Sequence, residues 1–530
     1  MKKKRWLWAL ACVMAYGALL RLLVYVESFS PASSIHTMGE AVWFSLVTLT
    51  TAGYGDYYPV TVAGRVVGTL FLLLSTGLLA LLIGAAVSLM MGRLLPWMKL
   101  RRLRGRSWYV FSERNERTVA LAEGLTAREP KAVAVFCGQE EDNRFPAPPG
   151  GTWLSTGEGP GALLAKKWAG GKRTLFFLGE DGLENYTRAL EAAAAGGTVC
   201  CQTTLVPGQT PENLILFDPW ESCARLYWRE HPLTGEDQVV LIGGGRCAGA
   251  LLEQGLFVNL SRLDRGVSYH VFGDDGSFLR RHPWLDNTLE LGPALPGRDG
   301  LIFHSESWDA DAGLLTRAGR IILCGEDEGE NLELYSQLLR AFPVTGAVHV
   351  RLSRPLPGAV VFGTHREIYT PELVLRSGLD RAARAMHEIY RQSAGGEAPQ
   401  WEELSDFLRR SNRAAADHLL TKARLLLEDD AIPALTADVC RRAFRAYEET
   451  RGEKAELYRE LEHLRWARFH SLNGWRYAPV RDNERRLHPD LRPFEELTEA
   501  EQAKDDYAWE LLGSLAQWLE RPEGEGGDRA

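Results

Sequence analysis

The chain begins with two long apolar stretches that flank a shorter one. Residues 6–26 are interrupted by a single charge, Arg21, and residues 66–92 carry no charged side chain. Both stretches reach the length of about 20 residues that a helix needs to span a bilayer. Residues 38–50 are apolar but too few to span, which predicts a re-entrant helix between two spans.

Lysine and arginine placement predicts how these spans are oriented. Basic residues cluster at 2–5 and again at 93–106, whereas residues 22–64 contain neither lysine nor arginine. Positive charge favours the cytoplasmic side of a membrane. We therefore expect a multi-pass protein of the inner (plasma) membrane with both termini in the cytoplasm.

From residue 105 the pattern changes to short apolar runs that alternate with amphipathic helices. The run at 175–185, Leu-Phe-Phe-Leu-Gly-Glu-Asp-Gly-Leu-Glu-Asn, recurs at 321–331 as Ile-Ile-Leu-Cys-Gly-Glu-Asp-Glu-Gly-Glu-Asn. Each copy follows another strand pattern, at 108–111 and at 238–242. Alternating strands and helices predict parallel sheets, here two doubly wound units in tandem.

Composition narrows the range of partners. The 530 residues carry a formal net charge of −8, which argues against nucleic acid as a partner. The eight cysteines show no metal-ligand spacing, so they are interpreted as free core thiols of a reducing compartment.

A glycine-rich loop follows the short apolar stretch. Residues 51–55 read Thr-Ala-Gly-Tyr-Gly, and Asp56 comes next. Glycines at alternate positions permit dihedrals that turn successive carbonyl groups toward one axis. Such carbonyls can replace the hydration shell of a potassium ion. The Thr51 hydroxyl can add an oxygen at the inner end, and the Tyr54 ring can brace the loop from behind.

Residues 43–59 resemble the pore helix and selectivity filter of potassium channels. The filter that this resemblance implies comprises Thr51, Ala52, Gly53, Tyr54 and Gly55. Potassium ions are expected at the first four of these residues. A homotetramer in the lipid bilayer is also implied, because one loop supplies a quarter of a carbonyl ring. A hinge in the inner helix is expected at Gly77, with Gly84 as the alternative.

The second α/β unit carries a glycine turn after its first strand. Gly243, Gly245 and Ala248 fit the G-x-G-x-x-A pattern that holds a pyrophosphate at a helix N-terminus, and Asp274 is the candidate ribose ligand, with Asp275 as its alternative. The corresponding turn of the first unit has no glycine, so no dinucleotide is expected there. A turn that only packs helix against sheet is the competing interpretation.

Two Rossmann-like units after a two-span pore resemble the tandem domains that regulate potassium conductance. The resemblance implies that four chains assemble these units into a ring that acts on the inner helices. It identifies no ligand. The acidic residues of the repeated turns are interpreted as solvated strand ends rather than as a calcium site.

The C-terminal part contains several motifs in a fixed order. Glu-Leu-Glu-His-Leu-Arg-Trp at 460–466 is followed by Gly-Trp-Arg-Tyr at 474–477. Together with segments 386–390 and 411–418, these motifs resemble the bacterial form of the ryanodine-receptor-type (RyR) domain.

Aromatic and arginine side chains of this part predict a site for a small nucleotide-like ligand. Aromatic faces can stack on a base, and guanidinium groups can hold phosphate. The alternative is that the tryptophans are core anchors and the arginines pair with nearby carboxylates. The candidate ligand-binding residues are Glu462, His463, Arg465, Trp466, Trp475, Arg476, Tyr477 and Arg481.

Together these features predict a membrane α-helical pore of two spans and a re-entrant pore helix, then tandem α/β Rossmann-like domains, then a mostly α-helical C-terminal domain. The expected boundaries are 1–104, 105–236, 237–375 and 376–530. The expected function is a potassium-selective channel, not an enzyme, opened or closed by a cytosolic nucleotide-type ligand at the C-terminal domain. Gating by a dinucleotide or ion at the Rossmann-like units is one alternative. A membrane-anchored nucleotide-binding enzyme is the other, and the filter loop disfavours it.

Overall fold

The computed structural model describes residues 2–90, 95–138, 152–166, 170–205, 210–285, 288–375 and 378–520. Residues 1–103 and 104–530 form two compact units. Arg93 and the last ten residues, which belong to the predicted first and last domains, lie outside the described residues.

The first unit is helical. Its helices are α1 (Lys2–Glu27), α2 (Met38–Leu49), α3 (Val62–Leu89) and α4 (Leu95–Arg102). A capping box starts α2, since the Thr37 hydroxyl accepts the Glu40 N–H while the Glu40 carboxylate accepts the Thr37 N–H. Phe71 of α3 packs against Tyr16 and Phe44, which joins the three long helices. Among the described residues, we find no helix with both the length and the hydropathy of a membrane span.

The second unit begins with a parallel sheet of six strands in the order β3-β2-β1-β4-β5-β6. This is the strand order of the Rossmann fold. Its elements are β1 (Trp108–Phe111), α5 (Glu116–Arg128), β2 (Val133–Cys137), β3 (Thr152–Thr156), α6 (Pro160–Leu164), β4 (Arg173–Phe177), α7 (Gly182–Ala194), β5 (Thr198–Gln202), β6 (Leu214–Phe217) and α8 (Pro219–Glu230).

A second parallel sheet follows with seven strands in the order β13-β12-β11-β7-β8-β10-β9. Without its edge strand β9, it repeats the order of the first sheet. Its elements are β7 (Gln238–Ile242), α9 (Gly245–Val258), β8 (Ser268–Phe272), α10 (Ser277–Arg281), β9 (Leu289–Glu290), β10 (Asp299–His304), α11 (Ala312–Arg317), β11 (Arg320–Leu323), α12 (Glu328–Ala341), β12 (Ala347–Arg351) and β13 (Val360–Phe362). The expected tandem of Rossmann-like sheets is therefore present.

The C-terminal part is mostly helical, as expected. Helices α13 (His365–Ile368) and α14 (Pro371–Val374) precede it, and its elements are α15 (Arg381–Ser393), α16 (Asp406–Leu427), α17 (Ala437–Leu472), β14 (Arg476–Tyr477), β15 (Leu487–His488), α18 (Glu499–Gln502) and α19 (Tyr507–Leu519). These helices share one core with the sheets, because Phe469 and Ala414 belong to the same buried cluster as Phe111 of β1 and Leu241 of β7.

The repeated Gly-Glu-Asp turn is a structural clip in both sheets. The Asn331 amide accepts the Gly325 N–H at 2.9 Å and donates to the Gly325 and Arg351 carbonyls, so it joins the ends of β11 and β12. Asn185 makes the equivalent bonds to Gly179 and Gln202. The aspartate of each turn caps the following helix. Within the described residues, no cluster of His, Cys, Asp or Glu could hold a metal ion.

Replacing the Asn331 clip should destabilise the second sheet. Asn331→Ala leaves one buried N–H and two buried carbonyls without their partner, and each unsatisfied group costs about 1–3 kcal/mol. We expect thermal unfolding of the purified chain at a clearly lower temperature. Asn483→Ala, at an exposed position, is the control and should unfold like the parent. Equal unfolding temperatures for both variants would contradict the clip.

Candidate functional site

The loop after α2 has an alternating backbone. Thr51, Gly53 and Gly55 have φ values of 56°, 60° and 73°, whereas Ala52 and Tyr54 between them are not in the left-handed region. Alternating handedness is the conformation that directs successive carbonyl groups to one side. The N–H groups of Ala52 and Gly53 both point back to the Val47 carbonyl, which anchors the loop on the end of α2.

The Trp43 side chain of α2 braces this loop. The Trp43 indole N–H donates to the Asp56 carboxylate at 2.8 Å. The Trp43 and Tyr54 rings are nearly parallel, with 6.3 Å between their centroids and 7° between their planes. The Tyr54 ring therefore stacks on Trp43 of α2, and it is 71% exposed in the single chain.

A buried carboxylate joins α1 to the start of α3. Glu27 is fully buried and accepts hydrogen bonds from the Ser33 hydroxyl, from the N–H groups of Val60 and Thr61, and from the Thr61 hydroxyl. A Cβ on Gly64 would collide with this carboxylate. Sequence reasoning missed Glu27. Its only signal was an acidic residue directly after an apolar stretch.

The two candidate hinge glycines lie inside a continuous helix. Helix α3 runs unbroken through Gly77 and Gly84, and a Cβ at either would meet no described atom within 4 Å. The Thr76 hydroxyl donates to the Leu72 carbonyl at 2.9 Å, a bond that competes with the helical ladder. The hinge stays a prediction.

The glycine turn of the second sheet is tightly packed. A Cβ on Gly243 would collide with the Gly325 backbone, and one on Gly244 with the Gly273 carbonyl. The Glu326 carboxylate accepts the Arg246 N–H at 2.7 Å, and a Cβ on Gly245 would meet that carboxylate. The N-terminus of α9, where a pyrophosphate would bind, thus already has an anionic partner within the chain.

The other dinucleotide candidates also have partners. Asp274 lies just beyond β8, the strand position that a ribose-binding acid occupies, but its carboxylate accepts the Gly276 N–H at 2.9 Å and the Ser277 hydroxyl at 2.8 Å. Ala248 is buried in α9. The structure brings Gly243, Gly245 and Asp274 to one sheet edge, where all three contribute to packing.

A cleft of about 960 Å³ opens in front of this turn and reaches α16. Seven arginines and eight carboxylates line it, so its charge is nearly balanced. Several of these side chains pair with each other, including Arg225 with Asp380 and Arg410 with Glu253. The cleft has room for a ligand but no strong excess of positive charge.

Burial divides the eight candidate residues of the C-terminal part. Glu462 and Arg465 are buried and ion-paired at 2.6 Å, and Lys422 approaches the same carboxylate at 2.7 Å. Burial opposes ionisation of Glu462, but the charges of Arg465 and Lys422 outweigh it and lower its pKa. Burial, and then the Glu462 charge, raise the pKa of the neighbouring Asp505 to about 8.

The two tryptophans lie in an aromatic cluster with histidines. Trp466 packs against His470, with 4.2 Å between the ring centroids, and against His463 and His488. Trp475 is 6% exposed and packs against His470 and Phe407. Trp475 is therefore packed in the core, whereas Trp466 is partly buried at its edge. The Trp475 indole N–H is nevertheless buried without a hydrogen-bond partner in the described part of the chain.

The remaining three candidates reach the surface. The Arg476 guanidinium lies over the Trp284 ring, 4.2 Å from its centroid. Tyr477 is 54% exposed. The Arg481 guanidinium donates to Asn483 at 2.9 Å. Among the eight candidates these three are the exposed ones, and Trp466 is partly accessible beside them.

Buried ion pairs that the sequence did not reveal join the C-terminal helices to the sheets. Arg225 of α8 donates to Asp380 at 2.6 Å and to Asp417 of α16 at 2.7 Å. Arg468 of α17, 1% exposed, pairs with Asp299 at the start of β10. No local pattern signals such pairs, since the partners are 155 to 192 residues apart.

Two segments of the chain, one near each end, match known protein families. Residues 8–92 match the family described as ion channel, and residues 448–518 match the RyR domain. The voltage-gated potassium channel of Aeropyrum pernix is 41% identical over 76 residues, which are 14% of this chain and 25% of that protein. The human potassium voltage-gated channel subfamily A member 4 is 41% identical over 46 residues, 9% of this chain and 7% of that protein. This chain thus spans a quarter or less of these relatives.

Among solved structures, the GsuK channel aligns with a TM-score of 0.31 at 15% identity, over 68% of this chain and 95% of that one. A GsuK channel bound to NAD aligns with a TM-score of 0.30 at 13% identity, over 69% of this chain and 82% of that one. The resemblance stated from the sequence is confirmed: one chain carries a segment that matches ion channels and is similar to a potassium channel, a segment that matches the RyR domain, and two Rossmann-like sheets between them. The curated relatives are ion channels, in agreement with the expected non-enzymatic function.

Breaking the Arg468–Asp299 pair should loosen α17 from the second sheet. Arg468→Met leaves the Asp299 carboxylate buried and uncompensated, which costs about 3–5 kcal/mol. We expect a large loss of stability in chemical denaturation. Arg485→Met is the control, because its pair with Asp482 is exposed and worth at most about 1 kcal/mol. Similar effects of the two substitutions would refute this account of docking.

Proposed function

We propose that the chain is a potassium-selective channel. The observation that carries the proposal is the alternating backbone at Thr51, Gly53 and Gly55, with Ala52 and Tyr54 in between. Carbonyl groups turned to one side can replace the hydration shell of potassium. Potassium ions would bind at the first four of these residues. The ion-channel match over residues 8–92 supports the same function.

The channel would be a homotetramer in the inner (plasma) membrane, with both termini in the cytoplasm. Helices α2 and α3 expose large apolar side chains in the single chain, which suits contacts with other copies and with lipid. Examples are Trp43, Leu46, Val66, Leu70, Leu73, Ile83 and Val87. The charge-free stretch at 66–92 would form the second span and residues 6–26 the first.

The C-terminal domain would sense a small nucleotide-like ligand. We assign the pore to residues 1–104, the two Rossmann-like domains to 105–236 and 237–375, and the RyR-type domain to 376–530. A ligand can bias gating only by binding one conformation more tightly than another. Buried ion pairs such as Arg468–Asp299 support a sensing role, because they couple any movement of α17 to the second sheet.

Two alternative functions are supported to different degrees. A dinucleotide or ion at the second glycine turn is favoured by the cleft in front of it and disfavoured by Glu326, which occupies the helix N-terminus. A membrane-anchored nucleotide-binding enzyme would have no use for the filter loop.

Adding a side chain at Gly55 should abolish potassium conduction. Its φ of 73° is a conformation that residues with a Cβ avoid, so Gly55→Ala should distort the loop while the rest of the chain folds. Potassium flux from liposomes containing the purified protein would measure this. Gly39→Ala, inside α2 and at an ordinary φ, is the control and should conduct. Parental flux through Gly55→Ala would mean that the loop is not the filter.

Removing the exposed arginines should weaken nucleotide binding. A charge-assisted hydrogen bond is worth about 1.5–3 kcal/mol, so Arg476→Gln or Arg481→Gln should lower the affinity about tenfold or more. Calorimetric titration of the full chain with a panel of nucleotides would measure the change. Arg445→Gln, exposed elsewhere on α17, should have no effect. Unchanged affinity in both arginine variants would place the ligand elsewhere.

A further inference from the structure

The C-terminal helices enclose a second cavity, of about 520 Å³. It lies between α15, α16 and α19, and Glu462 of α17 reaches its wall. Its volume falls within the range of about 300–1,000 Å³ that small-molecule sites have. Of the eight candidate residues for the nucleotide ligand, Glu462 lines it. The exposed Arg476, Tyr477 and Arg481 do not, so the cavity is distinct from the nucleotide site proposed above.

Most of the cavity wall is apolar. This surface is supplied by Met386 of α15, by Leu404 just before α16, by Leu408 and Ala415 of α16, and by Leu511 of α19. Leu404 and Leu511 are buried, whereas Leu408 is exposed and marks the open side. An apolar slot of this kind suits a planar ring system more than a flexible polar molecule.

Two polar groups of the wall have spare hydrogen-bonding capacity. Asn412 uses its amide N–H₂ for the Leu408 carbonyl at 2.9 Å, so its oxygen is left without a partner in the described part of the chain. The Glu462 carboxylate has none to spare, because three hydrogen bonds from Arg465 and one from Lys422 fill its about four acceptor positions. The hydroxyl of Ser411 also makes no hydrogen bond among the described residues.

Charge excludes phosphate from this cavity. No lysine or arginine is found among the described residues that line it, and its histidine, His387, is buried with Nε2 2.9 Å from the Pro399 carbonyl. The cations Lys422 and Arg465 are already hydrogen-bonded to the Glu462 carboxylate. A phosphate inside would therefore be buried without a cationic partner of its own, which is unfavourable.

Two tyrosines provide aromatic faces at the cavity. Tyr390 of α15 is 51% exposed and Tyr507 of α19 is 41% exposed, so both are accessible from solvent. Neither hydroxyl has a hydrogen-bond partner among the described residues. Either ring can therefore stack on a nucleobase of any kind, since every base has a π-face.

We infer that this cavity binds an uncharged planar heteroaromatic ligand with N–H donors, of the purine-nucleoside class. The ring enters the apolar slot between α15 and α16, and an exocyclic amine donates to the side-chain oxygen of Asn412. Sugar hydroxyls face Ser411 and the tyrosines. The inference rests on the proposed function only in placing this second site within the sensing domain.

Adenosine and AMP provide matched probes for calorimetric titration of the purified full chain. Adenosine should bind the parent, and Ala415→Phe, which fills the slot, should lower its affinity at least tenfold. Asn412→Leu, which removes the unpartnered acceptor with little change in volume, should lower it as well. Ala394→Phe adds the same ring at an exposed position outside the cavity and should bind adenosine like the parent. Thermal unfolding confirms that each variant is folded.

AMP distinguishes this cavity from the nucleotide site. Because phosphate is excluded, Ala415→Phe should leave AMP binding unchanged, whereas Arg476→Gln should leave adenosine binding unchanged. Absence of adenosine binding, or parental binding in folded Ala415→Phe, would overturn the inference. Potassium flux is measured in parallel with the same proteins. Loss of adenosine binding and loss of potassium conduction can then be told apart, so each proposal is tested separately.

Discussion

Buried charges that must remain paired constrain how the second unit is assembled. An ionised group inside a protein is tolerated only with a partner of opposite charge and further hydrogen bonds. Arg468 satisfies this rule through Asp299 and two backbone carbonyls, and Arg225 through Asp380 and Asp417. Because these bonds connect α17 and α16 to the sheets, the C-terminal helices cannot slide over the sheets without exposing or unpairing a charge.

The loop at 51–55 is constrained by backbone strain instead of buried charge. Thr51 holds a left-handed backbone that costs a residue with a side chain about 1–3 kcal/mol. Three contacts on one side of the loop offset this cost, namely the hydrogen bonds to the Val47 carbonyl, the Trp43–Asp56 bond and the stacked Tyr54 ring. The other side is open in a single chain. Assembly of several chains around this loop would complete its support, which links its conformation to the proposed tetramer.

The sequence was sufficient for the features that local patterns encode. Apolar runs such as 238–242 are the strands they predicted, since a strand buried on both faces is a continuous apolar run. The ligand site was harder to predict, because helical spacing tells which residues share a face but not whether that face is buried. Arg465 is an interior residue and Trp466 is partly buried, and no local pattern indicated long-range pairs such as Arg225–Asp380.

The shared core also bears on how such a chain can be divided. Phe469 and Leu472 of α17 pack in one cluster with residues of both sheets, and Asp380 pairs with Arg225 across the proposed boundary at 375. Dividing the chain at that boundary would expose apolar surface and leave the buried Arg225 without one of its partners. Residues 104–530 therefore behave as one cooperative unit of folding. In evolution, the C-terminal helices would be exchanged between proteins only together with the sheets against which they pack.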